Sequence, residues 1–254
     1  MTLPGSVRDA LRRFAALPAV LVGTDYDGVV APIVADPAAA FPLPGTVAAL
    51  EALAGLPGVT VAVVSGRDRA TLGRLSGAGE ALVTVGSHGA EWAEGFEGAL
   101  TPDLVDLRST VLDDLAAIAE RFPGAAVEPK PLGAALHVRN VVDASAGPLA
   151  LEEARRGPAA LPGVHATEGK AVLELTVLDA SKGRALQTLR ERTGADAVLY
   201  LGDDVTDEKA FAALTGAEDV SVKVGDGATA ARFRVDGPAD ARAVFEELLA
   251  LRRG

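Results

Sequence analysis

Short apolar runs alternate with longer amphipathic stretches through the first and last thirds of the chain. Residues 7–16 fit a helix, with Ser6 as its N-cap, and residues 19–24 a buried strand. A helix over 46–53 follows Pro44-Gly45, and a second buried strand, 59–64, lies between Pro57-Gly58 and Ser65-Gly66. Residues 68–75 read as a helix opened by the acidic Asp68, and 81–85 as a third strand. The rhythm resumes near Ser181 with helix 182–192, strand 197–201, helix 206–214, strand 220–224 and helix 239–251. Strands that are apolar throughout and separated by helices predict an α/β fold whose parallel sheet is covered on both faces.

Between these thirds the pattern changes. Residues 106–121 form one amphipathic helix, and 127–129 and 134–138 pair as strands around Pro131-Leu132-Gly133. A helix at 146–156 precedes two strands, 164–166 and 171–177, joined by Glu168-Gly169-Lys170. This stretch reads as a separate small α+β unit, of a size that folds as a domain. The expected organisation is a core over 1–102 and 178–254, interrupted by an inserted cap over 103–177.

Composition narrows the function. The 254 residues are 49 % hydrophobic but only 4 % aromatic, so small-residue packing absorbs much of that count. A net charge of -11 argues against a nucleic-acid partner and against anionic membranes, both of which call for a basic face. A phosphorylated small molecule is still compatible, given a metal and one or two local basic residues. The chain has no cysteine, which excludes thiolate catalysis and Cys-ligated metals, and its three histidines are far apart. No signal-like segment or membrane-length apolar run is present, so a cytoplasmic, membrane-free monomer is expected, with no room in 254 residues for a second enzymatic domain.

The strand ends carry the candidate chemistry. The run Ala19-Val20-Leu21-Val22 leads into Asp25-Tyr26-Asp27-Gly28. Ligands of open α/β sheets bind beyond the carboxyl ends of the strands. Strand alternation would point Asp25 and Asp27 the same way, and two close carboxylates call for a cation or a raised pKa. The second strand ends in Ser65-Gly66-Arg67, where free backbone N–H groups suit an anion. Lys182 opens a helix, where the macrodipole disfavours a cation unless an anion is near. Another strand runs into Gly202-Asp203-Asp204-Val205-Thr206-Asp207-Glu208. Each element alone has a plainer reading: a solvated turn, a helix cap, a surface lysine, an acidic helix start. Their succession at the ends of one sheet favours a shared site.

In this order the four elements resemble the motifs of the haloacid-dehalogenase-like (HAD-like) superfamily of aspartate-nucleophile phosphatases. The resemblance implies a Rossmannoid core with an inserted cap. It implies that Asp25 attacks phosphorus, that Asp27 is acid and then base, and that Ser65 and Lys182 hold phosphate oxygens. It also implies Mg2+ on the Asp25 carboxylate, the Asp27 carbonyl and Asp203, with Asp204 and Asp207 behind them. Val29 stands where the superfamily usually has threonine.

Further strings look like the trehalose-6-phosphate phosphatase family: Gly86-Ser87-His88-Gly89-Ala90-Glu91, Lys130 with His137-Val138-Arg139-Asn140, Glu168-Gly169-Lys170 with Glu174, and Gly202 to Glu208. The likeness spans about residues 20–225. It implies hydrolysis of trehalose 6-phosphate, with Arg67, His88, Glu91, Lys130, His137, Arg139, Asn140, Lys170 and Glu174 as substrate-binding candidates. Such donors and acceptors suit a hydroxyl-rich sugar. Val138 and Thr176 depart from the aromatic and arginine common in the family. Cap closure on hinges near 95–105 and 178–181 is expected. A phosphatase for another sugar phosphate, a non-catalytic sugar-phosphate sensor and a phosphosugar mutase are the competing readings.

Overall fold

The structure, a computed structural model, describes residues 3–96, 101–143 and 145–254. The chain divides into two compact units, Met1–Gly95 with Ala180–Gly254, and Phe96–Asp179. Part of the expected hinge at 95–105 falls on 97–100, outside the described residues. No helix among the described residues is long and apolar enough to cross a membrane.

The larger unit opens with α1 (Gly5–Ala15), whose N-cap is Pro4; Ser6, expected there, lies inside the first turn. Then follow β1 (Val20–Thr24), α2 (Thr46–Ala54), β2 (Val59–Val64), α3 (Arg69–Ser76), β3 (Val83–Val85) and the two-residue strand β4 (Glu91–Trp92), while the two-residue strand β5 (Gly95–Phe96) straddles the boundary in sequence between the units. The smaller unit holds α4 (Pro102–Arg121), β6 (Ala126–Lys130), β7 (Gly133–His137), α5 (Ala146–Arg156), β8 (His165–Gly169) and β9 (Val172–Thr176). The larger unit resumes with α6 (Lys182–Thr193), β10 (Ala197–Gly202), α7 (Val205–Ala213), β11 (Val220–Val224), β12 (Phe233–Val235) and α8 (Pro238–Arg253).

Its six-stranded sheet has the order β12-β11-β10-β1-β2-β3, and every pairing is parallel. Alternate strand residues feed two cores. Val20, Val22, Leu199 and Val222 pack with α1, α2, α3 and α8. Leu21, Val64, Val198 and Tyr200 pack with α6 and α7 on the other face. Burial on both faces explains the uninterrupted apolar runs. The strand order reverses direction at β1, between β2 and β10. The crevice at such a switch point lies beyond the carboxyl ends of β1 and β10, where Asp25 and Asp203 stand. Strand β12 was not expected: it is three residues long and carries Arg234 at its centre, so no apolar run marks it.

In the smaller unit an antiparallel sheet has the order β6-β7-β9-β8. One face buries Ala134, Leu136, Leu173 and Leu175 against Val111, Leu115 and Ile118 of α4 and Ala150, Leu151 and Ala154 of α5. Alternation puts Glu128, Lys130, His137, Thr167, Glu174 and Thr176 on the opposite face. Helix α4 starts four residues before the expected 106, because Thr101 caps it by accepting from the Leu104 N–H and Pro102 takes the first helical position. The β8–β9 turn lies at Lys170-Ala171 rather than at Glu168-Gly169-Lys170, with Ala171 at φ 60°.

Candidate active site

Strand β1 stops at Thr24, so strand alternation does not extend to Asp27, and the two aspartates have different partners. Asp25 is buried, and its Oδ2 lies 2.7 Å from the Lys182 ammonium. Its Oδ1 accepts from the Tyr26 N–H at 2.6 Å. Asp27 is taken by Arg67, whose Nε and Nη2 each donate at 2.7 Å in a bidentate pair. Each carboxylate therefore has its own cation, which relieves the repulsion that their spacing implied. Tyr26 is fully buried and its hydroxyl donates to the Ala40 carbonyl at 2.8 Å, pinning the segment that follows.

Lys182 is the first residue of α6, behind the N-cap Ser181, and is 2 % exposed. The anion expected near it is protein: Asp25 on one side and Asp207, at 2.8 Å, on the other. Asp207 Oδ1 accepts from Lys182 and from the Tyr200 hydroxyl at 2.6 Å. Its Oδ2 accepts from the main-chain N–H groups of Asp203 and Asp204, both at 3.0 Å. Each oxygen thus has two donors, which fills the acceptor capacity of the carboxylate. Asp204 caps α7.

Asp25, Asp203 and Asp207 each offer an oxygen within 4.8 Å of the others, an all-carboxylate set of the kind that suits a hard divalent cation. Asp207 is saturated, whereas the Asp203 carboxylate accepts no hydrogen bond among the described residues. The set therefore fits an ion on Asp25 and Asp203 with Asp207 as their strut. Burial drives the Asp25 carboxyl well above the usual range, with Lys182 opposing and Asp207 and Asp203 reinforcing. Burial likewise pushes Asp203 up to about 7, helped by the charge of Asp207. Burial would raise Asp207 too, but Lys182, Tyr200 and the Asp204 N–H hold it below the usual carboxylate range. Glycine makes this crowding possible. Gly28 has φ 72°, and a Cβ there would lie 2.0 Å from Asp203 Oδ2.

Ser65 is buried at the end of β2, and its Oγ accepts from the Arg67 N–H at 3.2 Å. The helix that follows begins only at Arg69 and is capped by Asp68, so Ser65-Gly66 lies ahead of that helix rather than at its N-terminus. The next loop locks onto this turn: the Ser87 N–H donates to the Arg67 carbonyl and the His88 N–H to the Ser65 carbonyl. Ser87 and His88 sit at φ 50° and 57°, uncommon for residues with a side chain. The His88 ring covers Gly66, where a Cβ would come within 2.4 Å of it. Glu91 Oε2 accepts from the Arg69 N–H at 2.9 Å, so this carboxylate anchors the start of α3.

In the smaller unit Lys130 and Glu174 form an ion pair on the sheet face away from α4 and α5. His137 lies on the same face, 2.8 Å from Glu128. Arg139 and Asn140, beyond β7, and Lys170, in the β8–β9 turn, are exposed. The Val138 N–H donates to the Ala171 carbonyl, which puts these three at one end of the sheet, while Lys130 pairs with Gly133 at the other. Four residue steps along β7 separate the ends by about 13 Å. Val138 points into the helix-covered core, and the Thr176 hydroxyl donates to the Leu178 carbonyl at 3.1 Å.

Three contributors went unread in the sequence. The Asp27–Arg67 pair joins residues 40 apart, and Tyr200 looked like a strand core residue. Lys223 lies 4 % exposed in β11, and a lysine inside an apolar run was the available signal.

Comparison with known proteins bears on the same residues. The trehalose-phosphatase family model matches residues 23–239. The trehalose-phosphate phosphatase of Mycolicibacterium paratuberculosis is 39 % identical over 253 residues, covering 91 % of this chain. The chain spans 62 % of that relative's length. Among solved structures, the Candida albicans trehalose-6-phosphate phosphatase C-terminal domain shares the fold, with a TM-score of 0.83 at 23 % identity over 98 % of both chains. Aspergillus fumigatus trehalose-6-phosphate phosphatase gives a TM-score of 0.71 at 28 % identity, covering 96 % of this chain and 97 % of that one. With a family model that runs from β1 into α8 and encloses every site residue described above, the chain belongs to the trehalose-phosphatase family.

Proposed function

We propose that the protein is a cytoplasmic phosphatase that hydrolyses trehalose 6-phosphate to trehalose and phosphate, with Mg2+ as its metal. The observation that carries this reading is the buried Asp25, held by Lys182 and set against the unspent carboxylate of Asp203. Asp25 Oδ attacks phosphorus, and the bond from phosphorus to the sugar oxygen breaks. The leaving oxygen takes a proton from Asp27. Asp27, now ionised, takes a proton from water, whose oxygen attacks the aspartyl-phosphate and releases phosphate and free Asp25. Asp25, Asp203 and the Asp27 carbonyl would hold Mg2+, which would supply charge neutralisation between nucleophile and phosphate.

The chain's own groups prepare these steps. Lys182 has three donors and spends two on Asp25 and Asp207, leaving one for a phosphate oxygen. Ser65 offers its hydroxyl to another. Arg67 holds Asp27 in a bidentate pair, so a substrate that draws the guanidinium away frees Asp27 to act on the leaving oxygen. His88 and Glu91 of the larger unit, and Lys130, His137, Arg139, Asn140, Lys170 and Glu174 of the smaller, are assigned to the sugar. The support is chemical: these are exposed or half-buried groups able to exchange a protein partner for a hydroxyl.

Phosphate release across a panel of sugar phosphates, with Mg2+ or with EDTA, tests the reading. Trehalose 6-phosphate is expected to be hydrolysed fastest, and only with the metal. Turnover of a different ester at a much higher rate would move the assignment to another sugar phosphate.

A further inference from the structure

One buried charge has no task in the chemistry above. Strand β11 is buried at all five positions. Val220, Val222 and Val224 enter the core beneath α1 and α8, which leaves Ser221 and Lys223 on the opposite face. An ammonium inside a sheet is costly unless it is paired. The Lys223 ammonium donates to the main-chain carbonyl of Asp203. It also lies 3.8 Å from Glu208 Oε1, an oxygen that is itself buried and without a hydrogen bond. The other oxygen of Glu208 accepts from the Ala230 N–H at 2.7 Å and from the Thr229 hydroxyl at 3.2 Å. Lys223 and Glu208 thereby join the turn after β10, the first turn of α7 and the loop before β12.

The consequence falls on Asp203. Its carboxylate has no hydrogen bond among the described residues, so its side chain is not steered by a protein donor. Its main chain is held on both sides instead: its N–H by Asp207 Oδ2 at 3.0 Å and its carbonyl by Lys223. Opposite it, Gly28 leaves no space for a side chain. We propose that Lys223 is a positioning residue for the cation site, clamping the Asp203 carbonyl so that its carboxylate is presented beside Asp25. This rests on the reading of Asp25 and Asp203 as cation ligands, and not on the identity of the sugar.

Charge and position make opposite predictions for this lysine. An ammonium near a bound cation repels it, so if charge were its only effect, Lys223→Met would tighten cation binding. A lost clamp loosens it. Titration of the whole, substrate-free protein with Mn2+, followed by calorimetry, separates the two. The expected result is a dissociation constant raised about 10- to 100-fold in Lys223→Met, largely recovered in Lys223→Arg, which keeps a donor. The Mg2+ concentration for half-maximal phosphate release should rise in parallel, and excess Mg2+ should restore much of the rate. If Lys223→Met does not fold, Glu208→Gln carries the test and should weaken Mn2+ binding in the same direction. Unchanged or tighter Mn2+ binding in the folded variant overturns the proposal. A wild-type protein that binds Mn2+ but hydrolyses no sugar phosphate would overturn the phosphatase reading and leave the clamp standing. A wild-type protein that binds no divalent cation would overturn both.

Discussion

Lys182 in the larger unit and Lys130 in the smaller each face a carboxylate, but in different surroundings. Lys182 is 2 % exposed and shared between Asp25 and Asp207, the second of which is saturated by four donors. Lys130 and Glu174 pair on a sheet face, with side chains 23 % and 13 % exposed. The first arrangement fixes charge in place before any ligand arrives, at a cost in desolvation that its mutual hydrogen bonds offset. The second is the more exposed of the two pairs. On the proposed reading, phosphoryl chemistry belongs to the larger unit and choice of alcohol to the smaller.

The largest expected effect comes from the nucleophile. Asp25→Asn should reduce phosphate release on the order of 10⁴-fold or more, on sugar and aryl phosphates alike, because it acts before the alcohol matters. Steady-state assays with both esters check this. Lys182→Met should follow: it leaves Asp25 and Asp207 buried without their cation and should cost about 3–5 kcal/mol in urea unfolding of the metal-free protein.

Next comes pH. Asp203 titrates at about 7 in the folded, cation-free protein, above its ordinary value of 3.8. A raised folded pKa means that folding favours the protonated form. That contribution to stability is complete below about pH 4 and is lost as pH climbs to about 7. A cation must expel the proton, so Mg2+ affinity should rise as pH climbs toward about 7. Calorimetric titrations at several pH values read this directly, and a flat profile would remove Asp203 from the site.

Smaller and more selective effects are expected from the cap face. Glu174→Gln and Lys130→Met should raise KM for trehalose 6-phosphate about 10-fold, the scale of one or two lost polar contacts, while an aryl phosphate is turned over as before. Equal losses on both esters would erase the division between the units. Arg155→Ala, which breaks the exposed pair with Glu168, should change stability by no more than about 1 kcal/mol and leave activity untouched.

What was legible in the sequence follows the same division. The buried strands of the parallel sheet announce themselves as apolar runs, and the acidic, hydroxyl and lysine residues at their ends mark the crevice. Partners distant in sequence leave no such mark. Arg67 reads as the residue after a glycine, and nothing local shows that it grips Asp27. Glu91 has the composition of a ligand, yet one of its oxygens is spent on the Arg69 N–H. Lys223 leaves only a faint mark because a single charge inside an apolar run is outvoted by its neighbours, although such a residue must find a partner. In the cap, alternation along β9 correctly separates Leu173 and Leu175 from Glu174, but spacing does not reveal that Lys130 and Lys170 lie at opposite ends of the sheet.

On the proposed mechanism, phosphorus passes through Asp25. Acid quenching during turnover of trehalose 6-phosphate, followed by peptide mass spectrometry, tests it most directly. A phosphoryl group is expected on the peptide that contains Asp25, lost when Asp25 is replaced by Asn. A phosphoryl group on another residue would contradict it, as would Asp25→Asn protein that still releases phosphate at the wild-type rate.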